Sequence, residues 1–149
     1  MTASVDDIAE AIRAAGADRQ RSSDLLATLY ADTVELQHSP PRPGDGSWPA
    51  STLVAVAKEE LDAIQRAIPD AVVHVPLVVV DRDAVRVCNR IEGVLVDGTR
   101  IDLTTNTVFT VSDGRVVGLR SEMTSDDAQA CGGVVAAGAF EVPADLTQP

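Results

Sequence analysis

His38 stands near the end of the segment YADTVELQHSP and is one of two histidines in the chain. Pro40 follows two residues later and lacks the N–H that a strand ladder needs, so the strand ends there and the imidazole can face a cavity mouth. An unperturbed imidazole titrates at about 6.5, which suits a base working at neutral pH. The alternative is a half-exposed histidine bonded to a loop carbonyl. Arg90 and Glu92, in NRIEG, lie two residues apart, and the period of a strand puts both on one sheet face. Flanked by apolar neighbours, they form either an ion pair that orients a ligand in an enclosed space or an outer-surface ladder of little energetic worth. Trp48 is the single tryptophan and sits in the proline-rich stretch SPPRPGDGSWPA, where it can lid a pocket or anchor the loop to the core. His74 alternates with Val73 and Val75 and reads as an ordinary sheet histidine.

Composition narrows the chemistry these residues can do. The 149 residues suit one domain with a real core. Aromatics make up only 3% against 45% hydrophobic residues, so Val, Leu, Ile and Ala must fill the interior. A formal net charge of −11 argues against nucleic acid and against an anionic membrane surface, and serves solubility. Cys88 and Cys131 form no CxxC pair and have no histidine nearby in sequence, so no metal is expected and buried free thiols are favoured over a disulfide. The N-terminus MTASVDDIAE lacks the basic and apolar regions of a signal peptide. VPLVVV and VVAAGAF are too short to span a bilayer, and the expectation is a soluble cytoplasmic protein.

Three helices and a set of strands must position the candidates. Ser4 caps a first helix whose apolar face is Val5, Ile8, Ala9 and Ile12, with Asp6 and Asp7 in its first turn and Gly16 at its end. Ser22 or Ser23 caps a second, with Leu25, Leu26, Leu29 and Tyr30 as its stripe, and a strand from Val34 to His38 follows. Residues 39–50 read as an irregular loop, and loops of that length are often functional lids. Ser51 caps a third helix bearing Leu53, Ala57, Leu61, Ile64 and Ile68, closed by Pro69-Asp70. From Ala71 the period becomes that of strands, with Pro76 marking an edge or bulge and Gly93 a bulge. The Asp-Gly pairs of VDGTR and SDGR predict hairpin turns. The predicted fold is α+β in one domain, residues 1–124, with three N-terminal helices on a strongly curved, mainly antiparallel sheet around a conical cavity. Residues 125–149 read as a Gly- and Ala-rich tail that can pack on the same domain.

This order of elements resembles the nuclear transport factor 2-like superfamily, and within it the SnoaL-like and ketosteroid isomerase-like branch. The resemblance is carried by LYADTVELQHSP, IPDAVV and NRIEGVLVDGTRIDLTTNTVFTVSDGRVVGLRSEM and covers about residues 4–124. It implies a fold that hosts isomerases, cyclases, dehydratases, epoxide hydrolases and non-catalytic binders. Where ketosteroid isomerases keep an Asp base this chain has His38, and where they keep a protonated Asp it has Thr107, while its first helix has no Tyr. Arg90 and Glu92 resemble two members of the epoxide hydrolase Asp-Arg-Asp set, but the third falls at Ser121, and the water-holding Tyr and Asn fall at Leu36 and His38. The resemblance therefore implies a small-molecule enzyme, without metal or organic cofactor, doing acid–base chemistry of isomerase, cyclase or hydrolase type on an apolar oxygenated ligand. His38 would be the base or water-orienting group, Arg90 and Glu92 the polar pair, Thr107 and Ser121 minor donors. Trp48 would cover the pocket, and Leu103, Phe109, Leu119 and Met123 would form its wall. The rival reading is a binding or assembly module with a vestigial pocket. Dimerisation through the sheet is implied in either case.

Overall fold

A computed structural model of the chain describes residues 3–17 and 22–137. Helix α1 (Val5–Ala17) opens on a reciprocal cap: Ser4 Oγ accepts from the Asp7 N–H at 3.1 Å, and the Asp7 carboxylate accepts from the Ser4 N–H at 3.0 Å. Its apolar face buries Ile8, Ala9, Ile12 and Ala15. Gly16 lies in the last turn of the described helix. Its missing side chain admits Pro76, whose Cγ would lie 2.5 Å from an added Cβ. The short α2 (Ser22–Ala27) leads into β1 (Tyr30–Ser39), which is twice the expected length. Backbone pairing explains the excess, because Tyr30 already opposes Val116 and the Val116 N–H reaches the Leu29 carbonyl at 2.8 Å.

The proline-rich stretch is more regular than its composition predicts. Gly46–Pro49 forms an edge strand, β2, antiparallel to β1 and paired through Trp48 opposite Val34. An edge tolerates Pro49, which has no ladder N–H to offer. Pro49 then occupies the cap position of α3 (Ala50–Ala67), so the expected Ser51 cap is corrected: the helix begins before Ser51 and has no side-chain cap. The remaining strands are β3 (Val72–Val73), β4 (Leu77–Asp81), β5 (Ala84–Val94), β6 (Arg100–Ser112) and β7 (Arg115–Glu122). Both Asp-Gly turns form: Asp113 and Gly114 take φ of 52° and 74°, and Gly98 takes 92°. A fourth helix, α4 (Ser125–Ala137), lies in what reads from sequence as tail and packs on α3 and β6. Thr124 caps it, accepting from the Asp127 N–H at 3.1 Å. Residues 138–149 of the expected tail lie outside the described residues.

The strands form one open, curved sheet in the order β2-β1-β7-β6-β5-β3, with β4 also paired to β5. Only β1 and β7 run parallel. Pro76 falls in the gap between β3 and β4, both of which pair only with β5, as an edge proline should. Gly93 is not the expected bulge, because β5 and β6 stay in register past it. An added Cβ there would overlap Ile68 Cγ2, so the glycine instead lets the end of α3 press onto the sheet.

Helices cover one face of this sheet through two separate apolar clusters. In one, Ile8, Ala9 and Ile12 of α1 meet Val85, Val87, Phe109, Val111 and Val116. In the other, Ile64, Ala67 and Ile68 of α3 and Cys131 and Val134 of α4 meet Leu95, Ile101 and Leu103. Between the clusters the sheet carries polar side chains, and there the packing opens.

Candidate active site

Alternation along β5 and β6 decides which residues can meet a ligand. Val85 and Val87 on β5, with Leu103, Phe109 and Val111 on β6, are buried and mark the covered face. The same parity brings Asn89, Thr105 and Thr107 inward. A cavity of about 390 Å³ lies over them. Its floor is Val87, Asn89, Ile91, Leu103, Thr105, Thr107 and Phe109. Ile12, Ala15 and Gly16 of α1, Ser23 and Leu26 of α2, Ala57, Glu60, Leu61 and Ile64 of α3, and Cys131 of α4, with Val73 and Pro76, complete its wall. The volume falls within the range of small-molecule sites, as does the mostly apolar lining with a few convergent polar groups.

Cross-strand register connects this floor to His38. Thr107 stands opposite Ser121, and Ser121 opposite His38, so the three form one row across β6, β7 and β1. Neighbouring strands lie about 4.8 Å apart, which puts His38 two strand spacings, roughly 10 Å, from Thr107. An apolar row, Phe109–Leu119–Leu36, runs beside it. His38 is held by a residue of the loop that follows its strand. Its Nδ1 lies 2.6 Å from Asp45 Oδ1, and its backbone N–H donates to Asp45 Oδ2 at 3.2 Å. The Arg42 N–H donates to the same oxygen at 3.4 Å. Side-chain exposures of 12% for His38 and 26% for Asp45 take the pair largely out of water.

Burial pushes the His38 imidazolium down, more than the Asp45 hydrogen bond raises it, and Arg42 lowers it further. Burial pushes the Asp45 carboxyl up, but hydrogen bonds from the His38 ring, the His38 N–H and the Arg42 N–H outweigh it and leave the acid strengthened. The two shifts agree on one state, a neutral imidazole donating Nδ1–H to an ionised carboxylate. That tautomer leaves Nε2 with its lone pair available, and no hydrogen bond among the described residues occupies it. A neutral histidine oriented by a carboxylate can accept a proton at its free ring nitrogen.

Arg90 and Glu92 are corrected. They share the parity of Arg86 and Cys88, opposite to that of Val85 and Val87, and so face away from the cavity. There Arg90 makes two 2.9 Å hydrogen bonds to Asp102 and one of 3.2 Å to Glu92, whose other oxygen lies 2.6 Å from His74 Nε2. The Asp102 carboxyl is held below the usual range by the Arg90 hydrogen bonds. All four side chains are between 41% and 56% exposed, the setting in which ion pairs contribute least. Arg90→Ala is accordingly expected to leave turnover within about twofold and the urea midpoint little changed, as urea melts and any activity assay will show.

Of the expected wall, Leu103, Thr107 and Phe109 line the cavity. Leu119 and Ser121 lie on the same sheet face but one strand beyond the cavity. Met123 packs against the cluster around Ile64 and Leu103. Trp48, on β2, donates its indole N–H to the Gly44 carbonyl at 2.6 Å, which fastens the turn carrying Asp45 and is no lid over the cavity. Asp45, Glu60, Asn89 and Thr105 escaped the sequence reading. Parity with Val87 and Leu103 marks Asn89 and Thr105, and Glu60 interrupts the apolar stripe Ala57–Leu61–Ile64 of α3. Asp45 carries no such signal, because only the turn of the loop brings it to His38. Among the described residues no group of three His, Cys, Asp or Glu side chains converges as a metal set would, and no helix is long and apolar enough to cross a membrane.

No protein-family model matches the chain and no curated protein matches it. Solved structures do. The structure of TerC co-crystallised with polyporic acid superposes with a TM-score of 0.57 at 20% identity, over 85% of this chain and 96% of that one. A candidate SnoaL-like polyketide cyclase from Jannaschia sp. CCS1 gives 0.53 at 22% identity, over 85% and 84%. A candidate isomerase from Bacillus subtilis gives 0.58 at 15% identity, over 84% and 91%. Identities this low speak to fold alone.

Proposed function

We propose that the chain, whose fold is shared with solved SnoaL-like and nuclear transport factor 2-like proteins, is a small-molecule enzyme doing acid–base chemistry on an apolar, oxygenated ligand. The observation that carries this reading is the His38–Asp45 pair: a neutral, carboxylate-oriented imidazole on the covered sheet face, in one row with Ser121 and the cavity residue Thr107. His38 does not itself line the cavity; it is the base for a ligand that extends from Thr107 along the row past Ser121, with Asp45 its positioning residue and the Thr107 and Ser121 hydroxyls hydrogen-bond donors to that ligand or to an intervening water. Chemistry of isomerase or cyclase type, starting with removal of a proton next to a carbonyl, fits one base and two hydroxyl donors.

Exchange of deuterium from D2O into a two-ring ketone such as 2-tetralone tests the proposal without the natural substrate. Wild-type protein should accelerate exchange above the buffer rate. The rate should fall as pH drops through the His38 pKa, which burial holds below the ordinary 6.5. No acceleration, or a limb above pH 6.5, counts against the assignment. The same shift gives stability a sign. Between the folded pKa and 6.5 the unfolded chain holds more protons than the folded one, so stability rises with pH in that window and levels off above it.

One observation favours a second, compatible reading, self-assembly through the outer sheet face. Val72, Leu77 and Val79 are 56%, 70% and 58% exposed there and oppose Glu92, Cys88 and Arg86 of the same face. Exposed apolar strips of this kind mark interfaces. A monomer by light scattering at micromolar concentration would remove this reading and leave the catalytic one intact.

A further inference from the structure

The cavity carries hydrogen-bonding capacity that the protein does not use. Asn89 and Thr105 stand opposite each other across β5 and β6, and Thr107 lies two residues farther along β6. Glu60 faces this floor from α3, between Ala57 and Ile64 at helical spacing. None of the four side chains forms a hydrogen bond or ion pair with the described residues. Half-buried polar groups of this kind are satisfied by water or by a ligand, and an occupant that leaves them unpaired binds poorly.

The charges around the cavity are one-sided. Among the described residues, Glu60 is the only ionisable carboxylate in the lining, and the lining contains no Lys, Arg or His. Cys131, also in the wall, is kept as a neutral thiol, chiefly because burial pushes its pKa up. Arg42 and His38 are near enough to be felt electrostatically, yet neither lines the cavity or pairs with Glu60. The volume of about 390 Å³ holds about a dozen waters at ~30 Å³ each, the room a two-ring skeleton takes.

We infer that the cavity selects neutral or cationic two-ring ligands, taking an O–H or N–H donor at Glu60 and a carbonyl or hydroxyl at Asn89 and Thr105, and rejects organic acids. An anionic ligand would bring a second negative charge next to Glu60 in a site of reduced dielectric, with no cation among the described residues of the wall to receive it. The inference rests on the cavity being the ligand site, as proposed above, and adds which ligands it admits.

Three probes on one skeleton test it: 2-(2-naphthyl)ethanol, 2-(2-naphthyl)ethylamine and 2-naphthylacetate, titrated by calorimetry at pH 7. The alcohol and the amine should bind at least about tenfold more tightly than the acid. In Glu60→Gln, with its fold verified by circular dichroism, the amine should weaken and the three should fall within about threefold of one another. The wild-type ranking decides the matter alone if the variant does not fold. Naphthylacetate binding as tightly as the amine overturns the charge selection while leaving His38 as the base untouched. A ranking that survives in Glu60→Gln overturns the role of Glu60. Failure of all three probes to bind overturns this inference together with the cavity reading on which it rests.

Discussion

His38→Ala should lower kcat/KM by about 10²–10⁴-fold, the contribution of a well-placed general base, while leaving the far-ultraviolet circular dichroism unchanged. Two effects on the imidazole favour the proposed role of base. Burial favours the neutral form, and the Asp45 carboxylate at 2.6 Å fixes the tautomer that frees Nε2. Asp45→Asn tests the second effect. It replaces a charged, acceptor-only carboxylate, which raises the His38 pKa, by a neutral amide that can also donate to Nδ1, so the acid limb of the pH–rate profile should move lower, while the rate plateau drops at least about tenfold because the tautomer is no longer held. A merely structural Asp45 would lower stability and leave the limb in place. Millimolar imidazole should restore part of the activity of His38→Ala, which no structural role explains. Retention of more than about a tenth of wild-type activity in His38→Ala would remove His38 from the mechanism.

Gly93→Ala should destabilise the fold by about 1–3 kcal/mol, the usual cost of overpacking. Ile68, 1% exposed, places its Cγ2 where the new Cβ would go, and the Ala71 backbone lies 3.4 Å away on another side. A β-branched side chain has one favoured rotamer in its local setting and cannot swing its Cγ2 clear. Removing a strand glycine returns about 0.5–1 kcal/mol of unfolded-state entropy, which is smaller than the clash, so destabilisation wins. The urea midpoint should fall with an unchanged slope. Ile68→Leu keeps the side-chain volume but has no Cγ2 on a branched Cβ, so Gly93→Ala should cost markedly less in that background. Equal costs in both backgrounds would place the constraint elsewhere.

Much of the architecture is legible in local pattern. The α1 stripe and its Ser4 cap, the two Asp-Gly turns and the alternation of β5 and β6 all read correctly from residue order, because caps, turns and periodicity depend on near neighbours. Parity also held an answer that the resemblance obscured. Arg90 and Glu92 fall on the opposite parity to Val85 and Val87, so alternation alone sends them outward, whereas an analogy with an Asp-Arg-Asp set drew them in. The length of β1, the edge strand at Gly46–Pro49 and the packing of α4 were illegible because each depends on a partner distant in sequence.

Residue order by itself determined an α+β chain, a helix-covered antiparallel sheet and a histidine at a strand end. The reason is that side-chain period and turn chemistry are local properties of the chain. Only the tertiary structure decided that His38 is paired with Asp45, that Thr107, Ser121 and His38 form one row, and that Glu60 faces Asn89 and Thr105. Those relations are set by loop path, strand register and helix rotation. None of them is encoded in any short stretch, because each arises from burying two apolar clusters on one sheet and leaving polar side chains between them.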